Sequence, residues 1–284
     1  MAWPSLRFLA SDLMRITRFW NLLIIGLTQY FAVAFLFDPA LLIDWHLLVL
    51  AISTVSIAAA GYIINDYYDV KIDLINKPER VVIGKRVTRR YAILLHTLLS
   101  FNGVALGFLL NWKLGVVNFL SAFLLWWYSN SLKRQPLIGN LAVALLTGLA
   151  VFIVTLLYPD FPKTEAAIYS LFAFYVTLVR EIIKDMEDLK GDNTFGCRTL
   201  PIIWGVRKTK NLIYLLTALF LLNLMVVHLW VEPLPIYYFM VFLLVPVVVL
   251  VVRLHRADTK KDFFQLSLLC KVIMLLGILS MAFV

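Results

Sequence analysis

The chain has 284 residues, of which 62% are hydrophobic and only 15% are charged. A mean hydropathy of +0.88 excludes a soluble globular protein and is typical of membrane proteins with several spans. The formal net charge is +9, but in such a protein an excess of Lys and Arg reports orientation, so we expect no nucleic-acid partner. With only Cys197 and Cys270, we expect no disulfide framework.

Nine apolar runs follow one another along the chain. Most are long enough to cross roughly 30 Å of hydrocarbon at about 1.5 Å per residue. The sixth run is short, and we expect its helix to continue through Arg180 and Glu181. The sequence therefore predicts an all-α polytopic membrane protein with nine transmembrane helices. The runs are residues 19–37, 45–64, 91–112, 114–132, 137–158, 166–179, 211–231, 234–252 and 263–284, the last interrupted only by Lys271.

The basic residues alternate between the two ends of these spans. Of the 26 Lys and Arg residues, all but three precede the first span or lie in every second loop, and one of the three is Lys271. By the positive-inside rule, the amino terminus and the loops after the second and sixth spans are cytoplasmic. We expect no cleavable signal peptide, and we expect one integral domain of the cell membrane over residues 1–284, built from two four-helix halves plus a ninth helix.

The same pattern of carboxylates follows the second and the sixth span. In NDYYDVKID, Asp66, Asp69 and Asp73 are spaced i, i+3 and i+7, which on a helix places them within an arc of about 60°. Together with a second set of three carboxylates in KDMEDLKGD, these side chains would bring six negative charges close together, which is unfavourable unless hard cations bind. Mg²⁺ takes its oxygen ligands from carboxylates, water and substrate phosphate. We therefore expect a phosphorylated ligand. KDMEDLKGD repeats the spacing with Asp185, Asp188 and Asp192.

A helical bundle whose two acidic faces meet at the cytoplasmic end of a central cavity would give each carboxylate set a partner. Basic residues flank both motifs, and they suit the oxygens of a diphosphate leaving group, because its departure develops negative charge. These residues are Lys71, Lys77, Arg80, Lys85 and Arg86 around the first motif, and Arg180, Lys184, Lys190 and Arg198 around the second.

These motifs resemble those of the UbiA-type intramembrane prenyltransferases. NDYYDVKID fits the family's NDxxDxxxD motif, and DMEDLKGD fits DxxDxxxD. With REIIK before it and TLP after it, the second motif is most similar to the digeranylgeranylglyceryl phosphate synthase branch. The resemblance covers the chain from about Arg15 onward. Further similar positions are Arg18 and Asn21 in RFWN, and Tyr128, Ser129 and Lys133 in YSNSLK.

The resemblance implies Mg²⁺-dependent transfer of a prenyl group, in particular geranylgeranyl, from a prenyl diphosphate to a lipophilic acceptor, with two or more ions bound. It implies that Asp66, Asp69, Asp185 and Asp188 are the catalytic carboxylates and the metal ligands. Aromatic walls at Trp126, Trp127, Tyr128, Phe172 and Tyr175 would stabilise an allylic cation. The implied substrate-binding residues are Asn21, Asn65, Lys71, Asp73, Arg80, Tyr128, Lys133, Arg180, Lys184 and Asp192.

Several alternatives stay open at this point. The acceptor is either geranylgeranylglyceryl phosphate, alkylated at oxygen, or an aromatic ring, alkylated at carbon. A carrier that binds a phosphorylated lipid without turnover is a third hypothesis, although a carrier site should lie near the middle of the membrane. Lys271 either snorkels to the interface or contacts an anionic acceptor. We expect contacts with membrane lipids, and the sequence implies no protein partner.

Overall fold

The computed structural model describes residues 6–230 and 244–283, with side chains described for 10–226 and 244–283. Over these residues the regular structure is helical, as the sequence predicts. The first part of the predicted run 234–252 lies outside them. The helices are α1 (Leu6–Ile16), α2 (Phe19–Leu36), α3 (Trp45–Asn76), α4 (Arg89–Leu110), α5 (Trp112–Asn130), α6 (Ile138–Phe152), α7 (Val154–Leu157), α8 (Lys163–Glu187), α9 (Leu189–Thr194), α10 (Leu200–Ile203), α11 (Gly205–Trp230), α12 (Val245–Arg256) and α13 (Lys260–Ser280), with 3-10 turns at Pro39–Ile43, Leu132–Arg134 and Met281–Phe283.

Among the described residues, six helices are long and apolar enough to cross a membrane, so the chain is an integral, polytopic, all-helical membrane protein. The short sixth run proves to be the middle of the 25-residue helix α8, which continues through Arg180 and Glu181 as expected. The fifth run is divided at Ile153 into α6 and α7. The six helices are Phe19–Leu36, Trp45–Asn76, Arg89–Leu110, Lys163–Glu187, Gly205–Val226 and Lys260–Phe283.

Helix α3 is much longer than its apolar run. It has 32 residues, or about 48 Å at about 1.5 Å per residue, against a hydrocarbon thickness of roughly 30 Å. The side chain of Asp44 caps its amino end by accepting from the amide of His46 at 3.0 Å. Because nothing breaks the helix before Asn76, the first acidic motif lies on its last three turns.

The chain divides into two compact units. The first contains residues up to Leu27 and Ile43–Leu132, and the second contains Thr28–Leu42 and Lys133–Val284. In the first unit, α3, α4 and α5 pack against one another around the carbonyl oxygen of Gly103, which accepts from Ser53 Oγ at 2.6 Å and from Asn118 Nδ2 at 3.2 Å. These polar groups are satisfied between helices, which is how small and amide residues hold membrane helices together.

In the second unit, α8 is the central helix, because α6, α11 and α13 all pack against it. The backbone of α6 approaches closely at Gly148, whose carbonyl accepts from Ser170 Oγ at 2.6 Å. On another side of α8, the ring of Phe172 occupies the space beside Gly277 that a side chain would need. The core of this unit is otherwise apolar, with the rings of Phe172, Phe220 and Phe263 buried among mainly aliphatic side chains.

Lys210 has a structural role that the sequence did not predict. Its side chain is buried, and its Nζ donates to Asp258 Oδ1 at 3.0 Å. The pair joins α11 to the turn before α13. Cys197 and Cys270 are both buried thiols that are not joined by a disulfide.

The close approach at Gly103 predicts a specific loss of stability. A Cβ at this position would lie 2.8 Å from the backbone oxygen of Ser53, a contact that no side-chain rotation relieves. We expect Gly103→Ala to lower the free energy of unfolding by about 1–3 kcal/mol, as overpacking does. In Gly26→Ala the nearest atom would be Val55 Cγ2 at 3.6 Å, so this control should unfold at or slightly above the wild-type temperature, because alanine favours a helix more than glycine does. Thermal unfolding in detergent checks both, and equal stability of the two variants would contradict the packing argument.

Candidate active site

The first acidic motif lies on one continuous helical face. Because α3 is unbroken through Asn76, Asp66, Asp69 and Asp73 share a face, as the spacing predicted. Asp73 is within electrostatic range of both other carboxylates, and of the cations Lys77 and Arg18. All three aspartates are half-buried, so their mutual repulsion is less screened than it would be in water.

Arg18 supplies the first motif with a counterion from outside the helix. It lies in the turn between α1 and α2 with φ +53°, in the left-handed region, and this conformation aims its side chain at α3. Its Nη2 donates to Asp66 Oδ1 at 3.0 Å, and its guanidinium carbon lies 4.7 Å from the centre of the Tyr62 ring. Asn21, a predicted substrate-binding residue, donates to the Tyr62 hydroxyl at 3.4 Å.

The basic residues after the first motif fall into two groups. Arg86 donates to the buried Asp12 of α1 at 3.2 Å, and Arg89 stacks on Tyr67 with 4.8 Å between guanidinium carbon and ring centre. These two cations therefore hold the loop and α1 against the helices. Lys71 and Arg80, which the resemblance assigns to phosphate binding, are exposed to solvent.

The second acidic motif bridges two helices. Helix α8 ends at Glu187, and Asp188 is its C-terminal cap, but the amide of Asp188 still donates to the Lys184 carbonyl at 2.9 Å. The amide of Asp192 in α9 donates in turn to the Asp188 carbonyl at 3.2 Å. The backbone thus keeps nearly helical spacing between the carboxylates. Asp185 Oδ2 accepts from Asn140 Nδ2 of α6 at 2.9 Å.

Glu181, beside the second motif, is a functional candidate that the sequence motifs did not indicate. Its carboxylate accepts from Arg180 Nη1 at 2.6 Å and from Lys184 Nζ at 2.8 Å, and the residue is 6% exposed. Asp185, one turn further on, lies within electrostatic range of both Glu181 and Lys184. The available signal was a carboxylate four residues before Asp185 and inside an apolar helix, where a charge needs a reason.

The other predicted residues take mixed positions. Tyr128 is half-buried near the end of α5, and Lys133 is half-buried in the following 3-10 turn. Phe172 packs in the core of its unit against Phe220. It therefore serves packing, whereas Trp126 and Trp127 are 39% and 45% exposed.

The donor set suits a hard divalent cation. The candidate ligands are carboxylate and amide oxygens, which Mg²⁺ prefers, and the set of candidates includes no thiolate or imidazole. Within the described ranges, no group of three or more His, Cys, Asp or Glu side chains already forms a metal cage. A Mg²⁺ ion typically binds one or two carboxylates and completes its shell with water and substrate phosphate, so each acidic helical face, taken by itself, fits such an ion.

Comparison with known proteins indicates a single family. The sequence model of the UbiA prenyltransferase family matches residues 23–274. The protein named digeranylgeranylglyceryl phosphate synthase from Methanosphaera stadtmanae is 33% identical over 78% of this chain and 82% of its own length. The protein of that name from Sulfurisphaera tokodaii is 41% identical over 57% of this chain, and the match spans only 59% of that relative. A solved structure of a UbiA homolog from Archaeoglobus fulgidus bound to GPP and Mg²⁺ superposes with a TM-score of 0.70, at 16% identity over 95% of this chain and 99% of its own.

The backbone at Arg18 and its side chain make separable predictions. Arg18→Ala removes the contacts to Asp66 and Tyr62 and leaves a strained φ of +53°. We expect Arg18→Gly, which removes the same contacts, to be more stable than Arg18→Ala by about 1 kcal/mol, because glycine adopts the left-handed region without strain. Thermal unfolding of the two variants in one detergent measures the difference. If alanine proved as stable as glycine, the backbone at this turn would not be strained.

Proposed function

This chain belongs to the UbiA prenyltransferase family, and from that premise we propose that it transfers a geranylgeranyl group from geranylgeranyl diphosphate to geranylgeranylglyceryl phosphate, forming an ether bond in lipid synthesis. The observation that carries the acceptor assignment is the second motif, KDMEDLKGD, with its flanks REIIK and TLP. The relatives that match the chain at 33–41% identity support it, because they carry the name digeranylgeranylglyceryl phosphate synthase.

We propose that Asp66, Asp69, Asp185 and Asp188 bind two or more Mg²⁺ ions together with the donor diphosphate. When bound, Mg²⁺ supplies charge neutralisation that lets the diphosphate leave. Two features support this assignment: the shared face of the first motif on α3 and the preserved spacing of the second across Asp188. Asp73 and Asp192, one turn further on, act beside these ligands by positioning cations or acceptor.

The remaining site residues bind, orient and shield. Asn65 orients the metal or the diphosphate, and the ammonium and guanidinium groups of the cations take up the charge that develops on the phosphate oxygens as the C–O bond breaks. Asn21 and Tyr128 contribute to substrate binding, as at similar family positions. Aromatic faces near the site keep water from the allylic cation until the acceptor hydroxyl attacks it and loses its proton to a site carboxylate or to the departing diphosphate. The basic residues that we propose to bind the phosphate oxygens are Lys71, Arg80, Lys133, Arg180 and Lys184.

We propose nine transmembrane helices in a single domain, with the amino terminus and the active site on the cytoplasmic side. The distribution of Lys and Arg supports this orientation, since the loops next to both acidic motifs are strongly basic. The prenyl chains of both substrates then reach the site from the membrane, and the charged diphosphate group of the donor lies toward the cytoplasm.

The test of the proposed function is prenyl transfer by the purified protein. Labelled geranylgeranyl diphosphate and Mg²⁺ are supplied with either geranylgeranylglyceryl phosphate or an aromatic acid. We expect a labelled diether phosphate from the first mixture only. Product on the aromatic ring would instead assign the chain to quinone-type synthesis, and Mg²⁺-dependent donor binding without any product would favour a non-catalytic lipid binder.

A single substitution that removes the negative charge of an aspartate in either motif should remove nearly all turnover. We expect Asp66→Asn and Asp185→Asn each to lower kcat at least about 100-fold, because loss of a metal ligand removes several kcal/mol of transition-state stabilisation. Asp160→Asn, at an exposed carboxylate outside both motifs, is the matched control and should keep wild-type activity. The measurement is turnover in parallel with the thermal shift on adding Mg²⁺ and donor. Near-normal activity of either motif variant would refute the metal assignment.

A further inference from the structure

Glu181 is an acid buried inside a membrane helix, one turn before the second motif. Its side chain is 8% exposed, while those of its two partners Arg180 and Lys184 are 18% and 26% exposed. Isolated burial of a carboxylate is costly, and pairing with well-placed donors offsets that cost. The three residues therefore form one unit with a net charge of +1, which we call the RExxK triad (Arg180, Glu181, Lys184).

The triad leaves bonding capacity unused. Among the described residues, the buried Nε of Arg180 has no hydrogen-bond partner, and neither does the hydroxyl of Thr177 one turn earlier. Thr177 is 4% exposed. Spacings of three and four residues place Thr177, Arg180, Glu181 and Lys184 on one side of α8. A buried unpaired donor is unfavourable unless a ligand meets it, and the guanidinium and ammonium groups of the triad suit an oxyanion.

The position of the triad relative to the second motif is fixed by one helix. Arg180 precedes Asp185 by five residues, so its Cα lies about 7.5 Å further along the helix axis, on the side of the apolar run. Asp185 is the carboxylate that Asn140 orients and that we assign to metal. An oxyanion at the triad would therefore lie beside a metal-bound diphosphate and closer to the lipid chains.

We propose that Glu181 is a positioning residue, which holds Arg180 and Lys184 as an oxyanion subsite for a phosphate group of one of the two substrates. This proposal rests on the proposed function. Without Glu181, Lys184 would turn to Asp188, its i+4 neighbour and a proposed metal ligand. The glutamate thus keeps the cations available for phosphate and keeps the metal ligands available for metal.

The test compares Glu181→Gln with Glu187→Gln. Glu187 is an equally buried carboxylate on the same helix, whose carboxylate accepts from Ser267 Oγ at 3.5 Å, so it controls for loss of a buried charge. For Glu181→Gln we expect KM of one phosphate substrate to rise roughly 10- to 100-fold while kcat falls less, because charge-assisted hydrogen bonds to that phosphate are lost. A rise in KM for geranylgeranyl diphosphate assigns the subsite to the donor, and a rise for geranylgeranylglyceryl phosphate assigns it to the acceptor.

Equal KM values for both substrates in Glu181→Gln and wild type would overturn the proposal, as would an identical loss in Glu187→Gln. Glu181→Asp, which retracts the carboxylate by one methylene, should restore part of the affinity and serves as the variant if the glutamine form does not fold. Binding of inorganic pyrophosphate with Mg²⁺, and of glycerol 1-phosphate, is measured on the same proteins by thermal shift. If wild type shows no turnover, the proposed function fails, while these two probes still decide whether Glu181 supports an oxyanion subsite.

Discussion

The structure depends on one constraint: a buried charge on a membrane helix must be paired with another polar group or must bind a ligand. Asp66 has Arg18, Asp185 has Asn140, and Glu181 has two cations. None of these contacts is needed to form a helix, since apolar sequence alone would do that. They are retained because a burial penalty of several kcal/mol per ion is tolerated only where the groups are compensated or useful.

Compensation on the two acidic helices is achieved by different means. On α3 the counterion is Arg18, which is distant in sequence. Its backbone has a left-handed conformation, and its guanidinium lies over the ring of Tyr62. On α8 the two cations next to the second motif pair with one carboxylate within two turns, and an amide from α6 orients Asp185. The first arrangement ties the motif to the amino-terminal segment, whereas the second is built into a single helix.

The sequence was sufficient for the helical class, the membrane location and the two acidic motifs, because each of these depends on local periodicity and spacing. The family followed from the resemblance of those motifs to known ones. It also predicted that α8 continues into the second motif. It could not predict that Arg18 meets Asp66, a contact 48 residues apart, or that Lys210 is buried against Asp258. Such pairs depend on how helices pack, and in an apolar chain many packings bury similar area.

The length of α3 has a consequence for product release. From Trp45 to Asp66 the helix rises about 31 Å, which already equals the hydrocarbon thickness. A helix that starts at one interface therefore carries its carboxylates past the other, into the zone of lipid headgroups and water. In the proposed reaction, pyrophosphate, a small and highly charged product, then dissociates directly into solution, while the prenylated lipid diffuses away in the plane of the bilayer. One enzyme thereby separates its two products by phase.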